Sequence, residues 1–269
     1  MIKFILGKIQ FTVVGLCLCA MQVSAQSYDP SLFKEMKYRF IGPEGNRAIA
    51  ITGEPGNPMV NYIGAASGGI FKTEDGGVTW NPIFDDQDVS SIGSLAIAPT
   101  RPSEVWAGTG ETFVIRPAHS IGNGIYFSND AGKTWANKGL EKTARIGRIV
   151  VNPKDENIVF AAALGHTYGP QQDRGVYRTK DKGKTWQRVL FVDENTGAVD
   201  LAIDPQNPNI IYAAMWSISI NTWGLNSGGP GGGIYRSTDG GDNWTPLNTK
   251  GLPGGKNHPV GKTAVALAH

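Results

Sequence analysis

Cysteine is nearly absent from this chain of 269 residues, and the only two, Cys17 and Cys19, fall within its first 25 residues. A disulfide-stapled domain is thereby excluded for the remainder, whose stability has to come from a large core. A surplus of one charge is lacking as well. Without Lys3 and Lys8 of the leading segment, 23 basic residues face 23 acidic ones. That balance offers no field for nucleic acid or an anionic membrane, so neither is expected as a partner. No His or Cys residues recur at metal-ligand spacing, so neither a metal nor another cofactor is expected. Beyond residue 25 no apolar run is long enough to span a bilayer. A nucleophile elbow of the form G-x-S-x-G between strand and helix is missing. The run from Ser227 to Gly233 is rich in glycine but has no G-K-[ST] ending to cradle phosphate.

The leading segment is a separate object. Lys3 and Lys8 form a positive start, an apolar run from Phe11 to Met21 follows, and Val23-Ser24-Ala25 supplies the small residues a signal peptidase needs. The expected organisation is a signal peptide at 1–25, cleaved before Gln26, and one exported domain at 26–269, periplasmic or extracellular.

What the chain does have is glycine, 36 residues of it, and a repeat. The octapeptide Thr73-Glu74-Asp75-Gly76-Gly77-Val78-Thr79-Trp80 returns as 128–135, 179–186 and 237–244, with the shared pattern S/T-x-D-x-G-x-T-W and Asn243 in place of Thr in the last copy. Its tryptophans, Trp80, Trp135, Trp186 and Trp244, are 55, 51 and 58 residues apart. The pattern is that of a hairpin turn. Asp75, Asp130, Asp181 and Asp239 can accept backbone N–H groups a few residues on. Gly77, Gly132, Gly183 and Gly241 can take a positive φ. The tryptophan restarts a strand and covers a large apolar face.

Each copy follows a short strand such as Gly69-Ile70-Phe71, and each of the last three is preceded by two more, such as Arg148-Ile149-Val150-Val151 and Ile158-Val159-Phe160-Ala161, joined by a proline turn. Four strands per unit of about 50 residues predict the blades of an all-β propeller. The stretch Lys262–His269 resembles the innermost strand of a further blade. The expected fold is therefore about four blades plus the start of a fifth, an incomplete propeller whose further blades or domains belong to a longer chain.

At these octapeptides the chain resembles the Asp-box (BNR-repeat) β-propellers, and from about Tyr38 to Leu247 it is similar to the sortilin N-terminal, VPS10-like propellers of bacterial exported proteins, often labelled glycosyl hydrolase-like. The resemblance implies that the four aspartates are structural and lie away from any ligand. It also carries two departures. The xyloglucanase-type pattern has an Asp before Gly-Gly in its first blade, where this chain has Ala66-Ser67 before Gly68-Gly69. A sialidase-type F/Y-R-I-P element has only a distant echo in Tyr38-Arg39-Phe40-Ile41-Gly42-Pro43.

Connections within a blade alternate between the two propeller faces, so the proline turns and Asp-boxes share one and the second-to-third strand loops share the other. The latter carries the varied chemistry, as loops on a rigid scaffold often do. Arg116 and His119 lie in one loop, His166, Tyr168 and Arg174 in another, and Trp216 and Trp223 in the longest, and these seven are the expected ligand contacts. Trp216 and Trp223 either stack on a sugar or fill the gap between blades. His166 has a structural alternative as a solvated or hydrogen-bonded loop histidine. Glu111 and Asp200 are the candidates for acid–base chemistry. Their structural alternatives are a carboxylate that holds backbone N–H groups, for Glu111, and a partner for Arg148 across blades, for Asp200.

The expected function is an interaction module binding a protein, peptide or glycan through its loop face, without catalysis. One alternative is a glycoside hydrolase of sialidase or xyloglucanase type, which needs two carboxyl groups facing each other across a scissile bond. The other is a structural segment of a larger protein.

Overall fold

The computed structural model describes Asp29, Ser31, Lys34 and residues 47–267, apart from 115–119 and 248–250. The leading segment with Cys17 and Cys19, the stretch Tyr38–Pro43, and Arg116 and His119 lie outside the described residues. The chain divides into two units, Met1–Phe40 and Ile41–His269. In the first, Ser31 N donates to Asp29 Oδ1 at 2.9 Å, a local Asx turn.

The second unit holds four antiparallel sheets, each built from consecutive strands. The first blade contains β1 (Ala48–Glu54), β2 (Asn57–Ala65), β3 (Ile70–Thr73) and β4 (Asn81–Pro82). The second contains β5 (Ile92–Ala98), β6 (Arg101–Thr109), β7 (Ile125–Ser128) and β8 (Ala136–Asn137). The third contains β9 (Ile146–Val151), β10 (Val159–Ala163), β11 (Gly175–Thr179) and β12 (Gln187–Leu190). In the fourth, β13 (Thr196–Ile203), β14 (Ile211–Asn221), β16 (Gly233–Ser237) and β17 (Thr245–Pro246) follow the same order, and β15 (Gly224–Ser227) pairs with an extension of β14. This is the predicted β-propeller, one four-stranded blade per octapeptide.

The octapeptides close the outer hairpins by one repeated network. In the first, Thr73 Oγ1 donates to Asp75 Oδ1 at 2.7 Å and accepts from Gly77 N at 2.9 Å, while Thr79 donates its N–H to Oδ1 and its hydroxyl to Oδ2. Asp130 and Asp181 repeat it. In the fourth, Asn243 Nδ2 takes the hydroxyl's place and donates to Asp239 Oδ2 at 2.7 Å, which explains why the amide is tolerated there. These bonds stabilise the charged carboxylate, so Asp130, Asp181 and Asp239 are pulled down to about 2, and Asp75 lower still.

Each hairpin also docks on its own blade's first turn. Gly76 N donates to Met59 O, Ala131 N to Ser103 O, Lys182 N to Asn157 O and Gly240 N to Asn209 O. The first turns and Asp-boxes therefore share a face, as strand alternation requires. On the opposite face Gly122 N donates to Ala144 O and Gln171 N to Glu194 O, which ties the second-to-third strand loops to the connections entering the next blade.

Cohesion lies between blades. One apolar cluster joins Val60, Tyr62, Ile70 and Phe84 to Ile92, Leu95, Val105 and Tyr126 of the next blade, and two further clusters repeat the arrangement at the second-to-third and third-to-fourth seams. The Asp-box tryptophans extend the seams. Trp135 stacks edge-on against Phe84 of the preceding blade at 5.2 Å, and its Nε1 donates to Ile83 O at 2.8 Å. Trp186 likewise meets Trp106 and donates to Lys138 O. Near the axis the blades converge, so the second strands need small residues. A Cβ on Gly108 would lie 2.5 Å from Ile146 Cγ2 of the next blade, and Ala162 and Ala214 hold the equivalent register in the third and fourth.

Candidate functional site

The four innermost strands share an irregularity that builds the site. Register slips by one residue between Ala48 and Ala50, Ile92 and Ser94, Ile146 and Arg148, and Ala198 and Asp200. Each slip is a bulge, which turns an extra residue toward the axis. The residues after the bulges, Ala50, Ser94, Arg148 and Asp200, stand at matching register in successive blades. All four line a cavity of about 630 Å³ together with the bulged residues themselves.

Neighbouring blades are linked at this level. Ile149 N donates to Ser94 Oγ at 2.8 Å, from the third blade to the second. Arg148 Nε donates to Asp200 Oδ1 at 2.6 Å, linking third to fourth. Asp200 is buried and also accepts Leu201 N and, through Oδ2, Val265 N, each at 3.0 Å. Val265 thus stands to Asp200 as Ile149 stands to Ser94. The stretch around it occupies the place of a next innermost strand, although no ladder forms there.

Arg47, Phe113, Lys262, Thr263 and Ala264 also stand on the wall. Phe113 is 53 % exposed. Lys262 Nζ donates to Thr112 O at 3.1 Å and lies 5.5 Å from the Phe113 ring centre and 6.0 Å from that of Trp216. Burial pushes its pKa down, opposed by the charge of Asp200. Glu111 does not line the cavity. It is buried behind it, in an ion pair with Arg47 at 2.7 Å. Among the described residues Asp200 is the one carboxylate on the cavity wall, so no facing pair of carboxyl groups is built there.

The predicted loop contacts separate. Tyr168 is half exposed and Trp223 is 93 % exposed at a hairpin tip. His166 is partly buried, and burial lowers its pKa, helped by the nearby Arg145 charge. Arg174 departs from the expectation. It is fully buried, and its guanidinium donates to the carbonyls of Asn195, Ile218, His166 and Gly169. That desolvation pushes it down to about 10, and its work is to clamp loops of two blades. Trp216 takes the second of its two expected roles and fills the gap between blades. It is 3 % exposed, packed with Leu164, Val199 and Ile218, and its Nε1 donates to Ser227 Oγ. The long loop expected around it is instead the β14–β15 hairpin. The period-2 alternation of Trp216, Ile218 and Ile220 was the signal for it.

Sequence reasoning missed Arg47, Phe113 and Lys262 as wall residues and Arg145 as a buried brace. Arg145 is fully buried and donates to Glu111 O and Gly165 O. For Arg47 and Arg145 a signal existed, since both immediately precede an innermost strand. Among the described residues no cluster of three or more His, Cys, Asp or Glu could hold a metal, and no helix is long and apolar enough to cross a membrane.

Residues 123–252 match the family model for sortilin, neurotensin receptor 3. A xyloglucanase of Hypocrea jecorina is 26 % identical over 216 residues, covering 72 % of this chain and 24 % of that protein. A xyloglucanase of Acetivibrio thermocellus is 25 % identical over 291 residues, covering 94 % of this chain and 32 % of its own length. The chain spans about a quarter of the length of the curated relatives it matches first. Among solved structures, an ancestral GH74 enzyme superposes with a TM-score of 0.60 at 20 % identity, covering 80 % of this chain and 27 % of that one. The GH74 enzyme of Niastella koreensis does so with 0.53 at 21 % identity, covering 73 % and 28 %. With four Asp-box blades in sequence order, these likenesses identify the fold as a β-propeller of the sortilin/BNR type.

Proposed function

We propose that this chain is part of an exported, glycan-active propeller, and that a polysaccharide related to xyloglucan lies across the loop face with the channel-mouth cavity beneath it. The observation that carries the reading is the length of the similarity to xyloglucanases. It runs over 72 to 94 % of the chain in the two relatives described above, well beyond the four octapeptides that any Asp-box protein shares. The surface is compatible with sugar binding. Trp223 and Tyr168 are exposed, Phe113 borders the cavity, and aromatic faces suit the C–H faces of pyranose rings.

Binding without cleavage by these blades is the second reading. It is favoured by Ala66-Ser67 in place of the first-blade aspartate and by the single carboxylate on the cavity wall. The testing experiment is affinity electrophoresis through gels with and without tamarind xyloglucan, followed by a reducing-end assay on the same preparation. Retardation supports glycan binding, and released reducing ends extend it to hydrolysis. Equal mobility in both gels, with no product, refutes the proposal and returns the protein or peptide ligand to first place.

A further inference from the structure

We propose that the channel-mouth cavity receives an acidic sugar, with Lys262 as the counter-ion of its carboxylate and Phe113 as the platform for its ring. The inference rests on the glycan-binding reading and adds to it the class of glycan: a polysaccharide carrying uronic acid rather than a wholly neutral one.

The cavity wall carries three cationic side chains, Arg47, Arg148 and Lys262, against one anionic side chain, Asp200. The chain without its leading segment has no net charge, so this excess is local. Two of the cations have carboxylate partners. Arg47 is paired with Glu111 and Arg148 with Asp200. The Asp200 contact uses only Nε of the half-exposed Arg148 side chain, which leaves its two Nη groups to a ligand. Lys262 differs from both. Among the described residues no carboxylate comes within ion-pair distance of it, and its ammonium donates to Thr112 O. An ammonium group has three donors. The Phe113 and Trp216 rings hold the charge at 5.5 and 6.0 Å, in a partly desolvated position where an anion gains more than it would in open water.

The pKa of Lys262 supports this view, since burial is its main perturbation and the Asp200 charge only opposes it. A carboxylate seated here would meet the Lys262 ammonium and the Arg148 Nη groups, both charge-assisted donors. A neutral sugar would leave the partly desolvated ammonium with only the Asp200 charge, beyond ion-pair distance, to answer it. The exposed Phe113 ring stands beside Lys262, so one saccharide unit can stack on the ring while its acid group reaches the amine.

The test compares two ligands that differ only in charge. Xyloglucan oligosaccharides are used as prepared, and again after oxidation of their galactose C6 to the carboxylate. Affinities for the whole protein are measured by titration calorimetry at about 50 and about 300 mM NaCl. The oxidised form is expected to bind ~10-fold more tightly at low salt, with the preference shrinking at high salt. Lys262→Met reduces the preference to the share supplied by the Arg148 Nη groups, about 3-fold, and Lys262→Arg, which keeps the charge, retains it in full. Equal affinity for both forms in the unaltered protein overturns the acidic-sugar proposal and leaves glycan binding standing. A preference undiminished in Lys262→Met overturns the assignment of the counter-ion. Binding of neither form removes both this proposal and the reading on which it rests.

Discussion

Phe84 tests whether this fold is held at its blade seams. The side chain is 2 % exposed and meets Tyr126 of the next blade edge-on at 5.1 Å and Trp135 at 5.2 Å. Truncation to alanine in a packed core costs about 3–5 kcal/mol, because the lost transfer energy is joined by a cavity the neighbours fill only partly. The two ring contacts account for roughly 0.5–1.5 kcal/mol each of that loss. At about 2–4 °C per kcal/mol for a domain of this size, Phe84→Ala should lower Tm by roughly 6–20 °C. Phe84→Leu keeps most of the volume and should cost about 1–2 kcal/mol. Urea titrations followed by tryptophan fluorescence give the energies, with Val78→Ala, on a side chain 70 % exposed, as the control within about 0.5 kcal/mol. A cycle combining Phe84→Leu with Trp135→Leu should return about 1 kcal/mol of coupling. If Phe84→Ala costs less than about 1 kcal/mol, or the cycle shows no coupling, the seams are not where stability resides.

Acid should weaken the outer hairpins. The Asp130, Asp181 and Asp239 carboxyls sit at about 2, below the ordinary aspartate value, so the unfolded chain binds more protons than the folded one in between. Their contribution is complete above about pH 4 and is lost as pH falls through about 2. Unfolding midpoints measured across that window should fall, and less steeply in Asp130→Asn, whereas a flat profile refutes the assignment. Ala131 adopts φ 59° in its Asp-box, where the first and fourth copies have Gly76 and Gly240. Ala131→Gly should therefore stabilise by up to about 1 kcal/mol in a thermal melt. Gly132→Ala should destabilise, because its φ is 89° and a Cβ would lie 2.5 Å from Ile83 Cδ1. Arg174→Met should cost at least about 3 kcal/mol in the same melts, since four carbonyls lose a charged donor. A variant of normal stability with impaired glycan binding would instead restore Arg174 to the ligand site.

The repeat was legible because its constraints are local. The Asp75, Gly77 and Thr79 positions answer to one another within eight residues, so composition at fixed offsets reveals the hairpin and, by repetition, the blade. The pairing of Arg148 with Asp200 was also foreseen, because both begin innermost strands. The cavity wall was not legible in the same way. Lys262 and Thr112 are 150 positions apart, and nothing in either neighbourhood marks their meeting. Arg174 shows the opposite failure. Its loop position suggested exposure, yet the carbonyls that enclose it come from segments 5 to 44 residues away. Trp216 was misplaced for a third reason, since a glycine-rich stretch just beyond it masked a short alternating strand.

The bulge repeated in all four innermost strands has a consequence for how such a scaffold can be retuned. It delivers one side chain per blade to the same height on the channel wall, and here these read Ala50, Ser94, Arg148 and Asp200. The ladders that hold the strands are backbone bonds, indifferent to what those four residues are. A new ligand can thus be met by rewriting one position per module, like the pins of a lock, while the hairpins that set the spacing of the modules stay as they are.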